Sequence, residues 1–191
     1  MKKSQAAGLA AICFIAGILV GLLWAAYKGP PPGLEAENRQ ISASSDPARM
    51  RAIQDRLADL KARIKAQPGQ VDLYVEAGNL LFDNELHQQA IAYYEQALEL
   101  GGENPDVLTD CAISYRQIDQ SDKTLEMLRR ARKTDPRHVN SALNLGIVLF
   151  HDFKDKQGAL TAWREYLNLA PEGDRAEMIR RVVAQIEAEL K

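Results

Sequence analysis

Reactive side chains are scarce: 191 residues hold three histidines, two cysteines and two tryptophans. Cys13 lies in an apolar run and Cys111 in a helical pattern, too few to build a disulfide framework or a zinc site. No HExxH, CxxC, CxxCH, calcium-loop or phosphate-cradling glycine pattern occurs. His87 and His138 fall in predicted turns. His151 precedes Asp152 near a helix end, and adjacent helical residues point apart, so they make no acid–base pair. No catalytic residue, cofactor or metal site is expected, and the chain does not read as an enzyme. A basic excess is missing too. With Lys2, Lys3 and Lys28 set aside, 21 basic residues face 26 acidic ones, which excludes the positive face that nucleic acid requires.

What is present begins with one long apolar run. Residues 1–5 form a short basic leader, and 6–27 carry no charge. Twenty-two residues at a rise of 1.5 Å give ~33 Å as a helix, enough to cross a ~30 Å hydrocarbon core. The bulky tail LLWAAYKGPPPG is a poor cleavage site, so the segment reads as a retained signal anchor. Lys2 and Lys3 before it, against Glu35 and Glu37 after it, place the N-terminus inside and the C-terminal domain outside. Trp24 and Tyr27 then sit at the far interface. Gly17 and Gly21 form a GxxxG, which either draws two membrane helices into a homodimer or is ordinary glycine usage in such a helix. Residues 28–46, with GPPPG and a serine cluster, read as a spacer, because consecutive prolines cannot continue a helix.

Beyond the spacer the chain repeats itself. Gly78, Ala112 and Gly146 stand 34 apart, each followed three positions later by Leu81, Tyr115 or Leu149. Ala90, Thr124 and Ala159 recur likewise, with Tyr94, Leu128 and Trp163 four positions on. Ala97, Ala131 and Tyr166 follow, and then breaks at Gly102, Pro136 and Pro171. A period of this length signals stacked helix pairs. The spacing predicts helices at about 72–84 with 87–100, 106–118 with 121–133, and 139–152 with 157–169. Thr124 to Ala159 is 35 residues rather than 34, so one residue is inserted in HDFKDKQG, with 153–156 as the turn. Trp163 is read as packing between paired helices. Tyr166 replaces the alanines of the earlier repeats, so the following helix should sit differently from a true repeat. Tyr166→Ala should loosen that end by about 1–3 kcal/mol and leave the groove alone.

Two flanking helices are expected, since an open stack exposes an apolar face at each end. Asp46 caps a helix with Pro47 at its first position and Met50, Ile53, Leu57, Leu60 and Ile64 on one face. Those spacings suit either a short coiled coil or packing on the first repeat, and Pro68 favours the second. Asp174 caps a helix carrying Ile179, Val182, Val183, Ile186 and Leu190 along one side, which should cover the last repeat.

Between Val71 and Pro171 the pattern resembles the tetratricopeptide repeat, W-x2-L-G-x2-Y, A-x3-F and P over two antiparallel helices. The resemblance implies an all-α solenoid of three such pairs (71–104, 105–138 and 139–172); with the flanking helices, the last at 174–190, they make a domain of 47–191, which the apolar run precedes as one transmembrane helix. It also implies a protein or peptide partner held on the concave face of the first helix of each pair. Its groove positions fall on Val75, Asn79, Phe82 and Asp83, then Thr109, Ile113, Arg116 and Gln117, then Leu143, Ile147, Phe150 and His151. In chaperone-binding members, basic residues and asparagines there clamp a C-terminal carboxylate. Of these only Asn79 matches; Val75, Ile113, Leu143 and Ile147 stand at the other positions. An apolar stripe edged by polar groups suits a partner helix or an unfolded segment, unless these side chains are covered by the N-terminal helix or simply face solvent. An anchored repeat domain also resembles the modules of bacterial cytochrome c assembly systems and the inner-membrane repeat proteins that escort secreted chains in the periplasm. The alternative is a structural scaffold that self-associates through Gly17 and Gly21.

Overall fold

The structure, a computed structural model, describes residues 47–190. The apolar run, the GxxxG, the proline spacer and the Asp46 cap lie outside the described residues. Eight helices follow in order: α1 (Pro47–Ala66), α2 (Val71–Phe82), α3 (His87–Gly101), α4 (Pro105–Gln117), α5 (Ser121–Thr134), α6 (Val139–His151), α7 (Lys156–Leu169) and α8 (Asp174–Glu189). The six helices of the predicted pairs are present, their ends within two residues of those read from the spacing. No described helix is long and apolar enough to cross a membrane.

Each pair is closed by a small residue on its first helix facing a large one on its second. At Gly78 an added Cβ would lie 2.5 Å from Tyr94 Cε1, and at Gly146 it would lie 2.3 Å from Trp163 Nε1. The middle pair carries Ala112 with the smaller Leu128, and both are fully buried. Ring size and backbone approach are thus traded within a fixed space, as close packing demands. Trp163 is only 2% exposed and stacks obliquely on Phe150 at 5.5 Å, so it fills the core as expected.

The turns inside the pairs share one construction. Leu86 N–H donates to Leu81 O, and Gln120 N–H donates to Tyr115 O. In the third pair Asp155 N–H donates to Leu149 O, one residue farther along the chain. The insertion is thereby absorbed at the turn, which spans 152–155 rather than the expected 153–156. Glu85, Asp119 and Lys154 take left-handed φ values of 60°, 59° and 57° to make these reversals. Gly102, at φ 77°, ends α3 in a conformation that glycine adopts without strain.

From Ile53 onward α1 packs on the first repeat. Leu57 and Leu60 join Leu73 and Ala77 in one buried cluster, with Ile64 against its edge. Arg56 and Arg63 both reach Glu76, at 3.3 and 3.6 Å. Pro68 O accepts from Tyr74 Oη at 3.0 Å, fixing the bend between the two helices. At the far end Tyr166 packs with Ile179, Val183 and Ile186 in a second cluster. Arg164 to Glu187 at 2.6 Å and Lys156 to Glu189 at 2.8 Å tie α7 to α8 on the surface. Asp174 is the first residue of α8 rather than its cap; Gly173, at φ 94°, stands in that position.

Candidate functional site: the concave groove

The first helices of the second and third pairs, α4 and α6, line a groove of about 680 Å³. Seven of the twelve residues expected at groove positions meet there: Phe82, Thr109, Ile113, Leu143, Ile147, Phe150 and His151. They come together because their helical spacing puts them on one face and α4 lies beside α6 in the stack. Val75, Asn79 and Asp83 line a separate hollow of about 390 Å³ with Arg56, Asp72, Glu76 and Leu80. Asn79 is committed within its own repeat, its Oδ1 accepting from Tyr94 Oη at 2.9 Å.

Arg116 and Gln117 do not line the groove. Arg116 donates to both Asp152 oxygens, Nε at 2.8 Å and Nη2 at 2.9 Å, and so holds the end of α4 to the turn after α6. The guanidinium hydrogen bonds hold the Asp152 carboxyl below the usual carboxylate range. Gln117 is exposed at the C-terminal end of α4.

Other lining residues lay one step from the expected set. Asp106 and Asn140 precede Thr109 and Leu143 by three positions, and Asp110 and Asn144 follow them directly. Their own 34-residue spacing could have revealed them. The larger surprise is α8. It was expected to cover the last repeat, and it does so through Ala176, Ile179, Val183 and Ile186, which are buried. It also turns Arg175, Met178, Ile179 and Val182 into the groove. Because α8 rests on Tyr166, a change there is expected to reach the groove wall. Trp163 lies at the base of the groove as well as in the core, and its Nε1–H has no hydrogen-bond partner among the described residues.

The floor is apolar and one rim is acidic. His138 caps α6, its Nδ1 accepting from Ser141 N–H at 3.3 Å, which leaves Nε2–H to donate to Asp106 Oδ1 at 3.0 Å. Asp110, one turn along from Asp106, accepts no hydrogen bond from the side chain or backbone of any other described element. Burial above all, then the charges of Asp106 and Asp83, push its carboxyl up from 3.8 to about 6, with His138 opposing. Cys111, on the opposite face of α4, is fully buried, and its thiol is pushed up to about 12 by burial, so it is inert packing. His87 begins α3 rather than sitting in a turn and stacks edge-on with Phe82 at 5.6 Å, and its Nδ1 has no hydrogen-bond partner among the described residues.

Known proteins share this helix arrangement. Residues 81–146 match the tetratricopeptide repeat model. Similar solved structures include tetratricopeptide domains. MamA superposes with a TM-score of 0.65 at 18% identity, covering 75% of this chain and 84% of that one. The first tetratricopeptide domain of Spaghetti, bound to an HSP90 peptide SRMEEVD, gives 0.58 at 19% identity over 62% of this chain and 94% of that one. In sequence, the heat-shock cognate co-chaperone sgt12 of Aspergillus fumigatus is 26% identical over 144 residues, 75% of this chain. The chain spans 42% of that co-chaperone's length.

Proposed function

We propose that this chain is a non-catalytic tetratricopeptide scaffold that holds a segment of a protein partner in the groove between α4, α6 and α8. The observation that carries the reading is the continuous apolar floor of Ile113, Leu143, Ile147 and Phe150, left open beside Met178, which is 52% exposed. Isolated apolar side chains on a surface mean little, but a concave cluster of them edged by polar groups is the form of a binding site. A similar solenoid, that of Spaghetti, was solved with a peptide bound, which supports the class of ligand. Association would draw on burial of this floor at about 25 cal/mol per Å², less the cost of ordering both partners.

The finer reading adds a place. The charge-free run 6–27 with Lys2 and Lys3 before it supports a single inner-membrane anchor with the repeats in the periplasm, where cytochrome c assembly or escort of secreted chains would supply the partner. Pull-down of the intact chain from membranes, with identification of what is bound, tests both levels. Ile113→Glu should abolish capture with helicity unchanged; undiminished capture by that variant would sink the groove. Gly17→Leu should leave capture intact, whereas a scaffold built by self-association would lose its assembly.

A further inference from the structure

The groove's chemistry narrows its ligand. We infer that the groove selects a segment carrying a lysine or arginine among large apolar side chains, with the cation held between Asp110 and Asp106 and the apolar groups over Ile113, Ile147 and Val182. The inference rests on the groove being the binding site and adds the sign of its charge preference.

Three observations converge. Asp106 and Asp110, one helical turn apart on α4, both line the groove, Asp83 at the end of α2 acts on Asp110, and from them the apolar floor runs toward α8. The charges and titratable groups facing Asp110 are Asp106 on its own helix, Asp83 at the end of α2 and His138 at the start of α6. Two acids and one histidine leave an unbalanced negative pole that a cation would neutralise. Arg175 also lines the groove, from α8, but is not among the charges acting on Asp110. Asp110 itself, half-buried, has only His138 to oppose its charge and no hydrogen-bond donor from another described element. A ligand ammonium or guanidinium supplies both at once. An acidic tail would instead meet like charge beside Ile113, Leu143 and Ile147, none of which can clamp a carboxylate.

The test uses the full chain in detergent and three labelled peptides: an amphipathic peptide with one lysine amid leucines and phenylalanines, its lysine-to-glutamate twin, and SRMEEVD. The lysine peptide should bind about tenfold more tightly than its glutamate twin, a difference of ~1.4 kcal/mol, and SRMEEVD should be the weakest. Asp110→Asn should erase the preference while the apolar contribution remains. Lowering the pH from about 7 to about 5 should weaken the lysine peptide alone, since Asp110, whose carboxyl stands at about 6, gains a proton. Equal affinity for the twins, or a preference for SRMEEVD, would overturn the charge preference and leave the groove standing. If no peptide binds in a manner sensitive to Ile113→Glu, the groove itself fails. A photo-crosslinker at Ile147 that joins residues 1–46 or a second copy would instead assign the groove to the chain itself.

Discussion

Replacing Gly146 with alanine should destabilise the domain, although alanine is the better helix former. In an unpacked helix the change would gain about 1 kcal/mol. Here the new Cβ would stand 2.3 Å from Trp163 Nε1, 2.4 Å from Cδ1 and 2.8 Å from Cε2. The indole is a rigid plane, 2% exposed and pressed by Phe150, so it cannot swing aside as a flexible chain end would. Overpacking of this kind costs about 1–3 kcal/mol and more where two rigid groups meet. The helix gain offsets part of it, leaving a net loss of about 1–2 kcal/mol, or roughly 2–8 °C in melting temperature for a domain of this size.

The second pair supplies the compensation, because there alanine faces leucine: Ala112 with Leu128. Trp163→Leu alone should lose apolar burial and open a cavity. Combined with Gly146→Ala it should recover at least ~1 kcal/mol relative to the sum of the singles, a coupling that a double-mutant cycle reads directly. Urea unfolding followed by circular dichroism gives all four stabilities. Gly69→Ala is the control, since nothing lies within 4 Å of its added Cβ; it should be neutral or slightly stabilising. If Gly146→Ala unfolds at or above the wild-type midpoint, or costs the same with leucine at 163, the close approach does not constrain the pair and the packing argument is wrong.

Asp110 should cost stability at neutral pH. Its carboxyl stands at about 6 in the fold against an ordinary 3.8, so the native state binds the proton more tightly. Stability therefore falls as pH rises from about 4 through about 6, and the deficit is complete above that window. Asp110→Asn should gain about 1 kcal/mol at pH 7, discounted for groove water from the ~3 that two pKa units are worth, and nothing near pH 4; a gain independent of pH would refute the assignment. Tyr166→Ala should remove about 3 kcal/mol of packing under α8, the upper end of the range expected from the sequence, and weaken peptide binding as well, because Met178 and Val182 should shift with that helix. Unchanged peptide affinity in a destabilised Tyr166→Ala protein would show that α8 does not wall the bound groove.

The repeat unit was legible because its signals are local. Gly78, Ala112 and Gly146 recur at one spacing, their helix-two partners recur with them, and each residue's role depends only on neighbours within the same 34-residue unit or the next. The inserted residue could be placed from Thr124 and Ala159 for the same reason, and the turn at 152–155 absorbs it. The groove was only half legible. Its stripe of Ile113, Leu143 and Ile147 follows from helical spacing, but Arg116 carries no sequence mark of its bond to Asp152, 36 residues away.

Nor does the repeat say what happens where it ends. Tyr166 announces that α8 departs from the pattern, yet how far depends on the phenol's fit among Ile179, Val183 and Ile186. That fit brings Arg175, Met178 and Val182 around into the groove. The environment of Asp110 is likewise assembled from three elements, by Asp83, Asp106 and His138. Sequence alone determined the helices, their pairing and the small-to-large contacts that close each pair, because those follow from periodicity and steric fit between near neighbours. Tertiary structure alone decided the wall that α8 supplies and the charge of the groove, because both depend on angles between helices that no local pattern encodes.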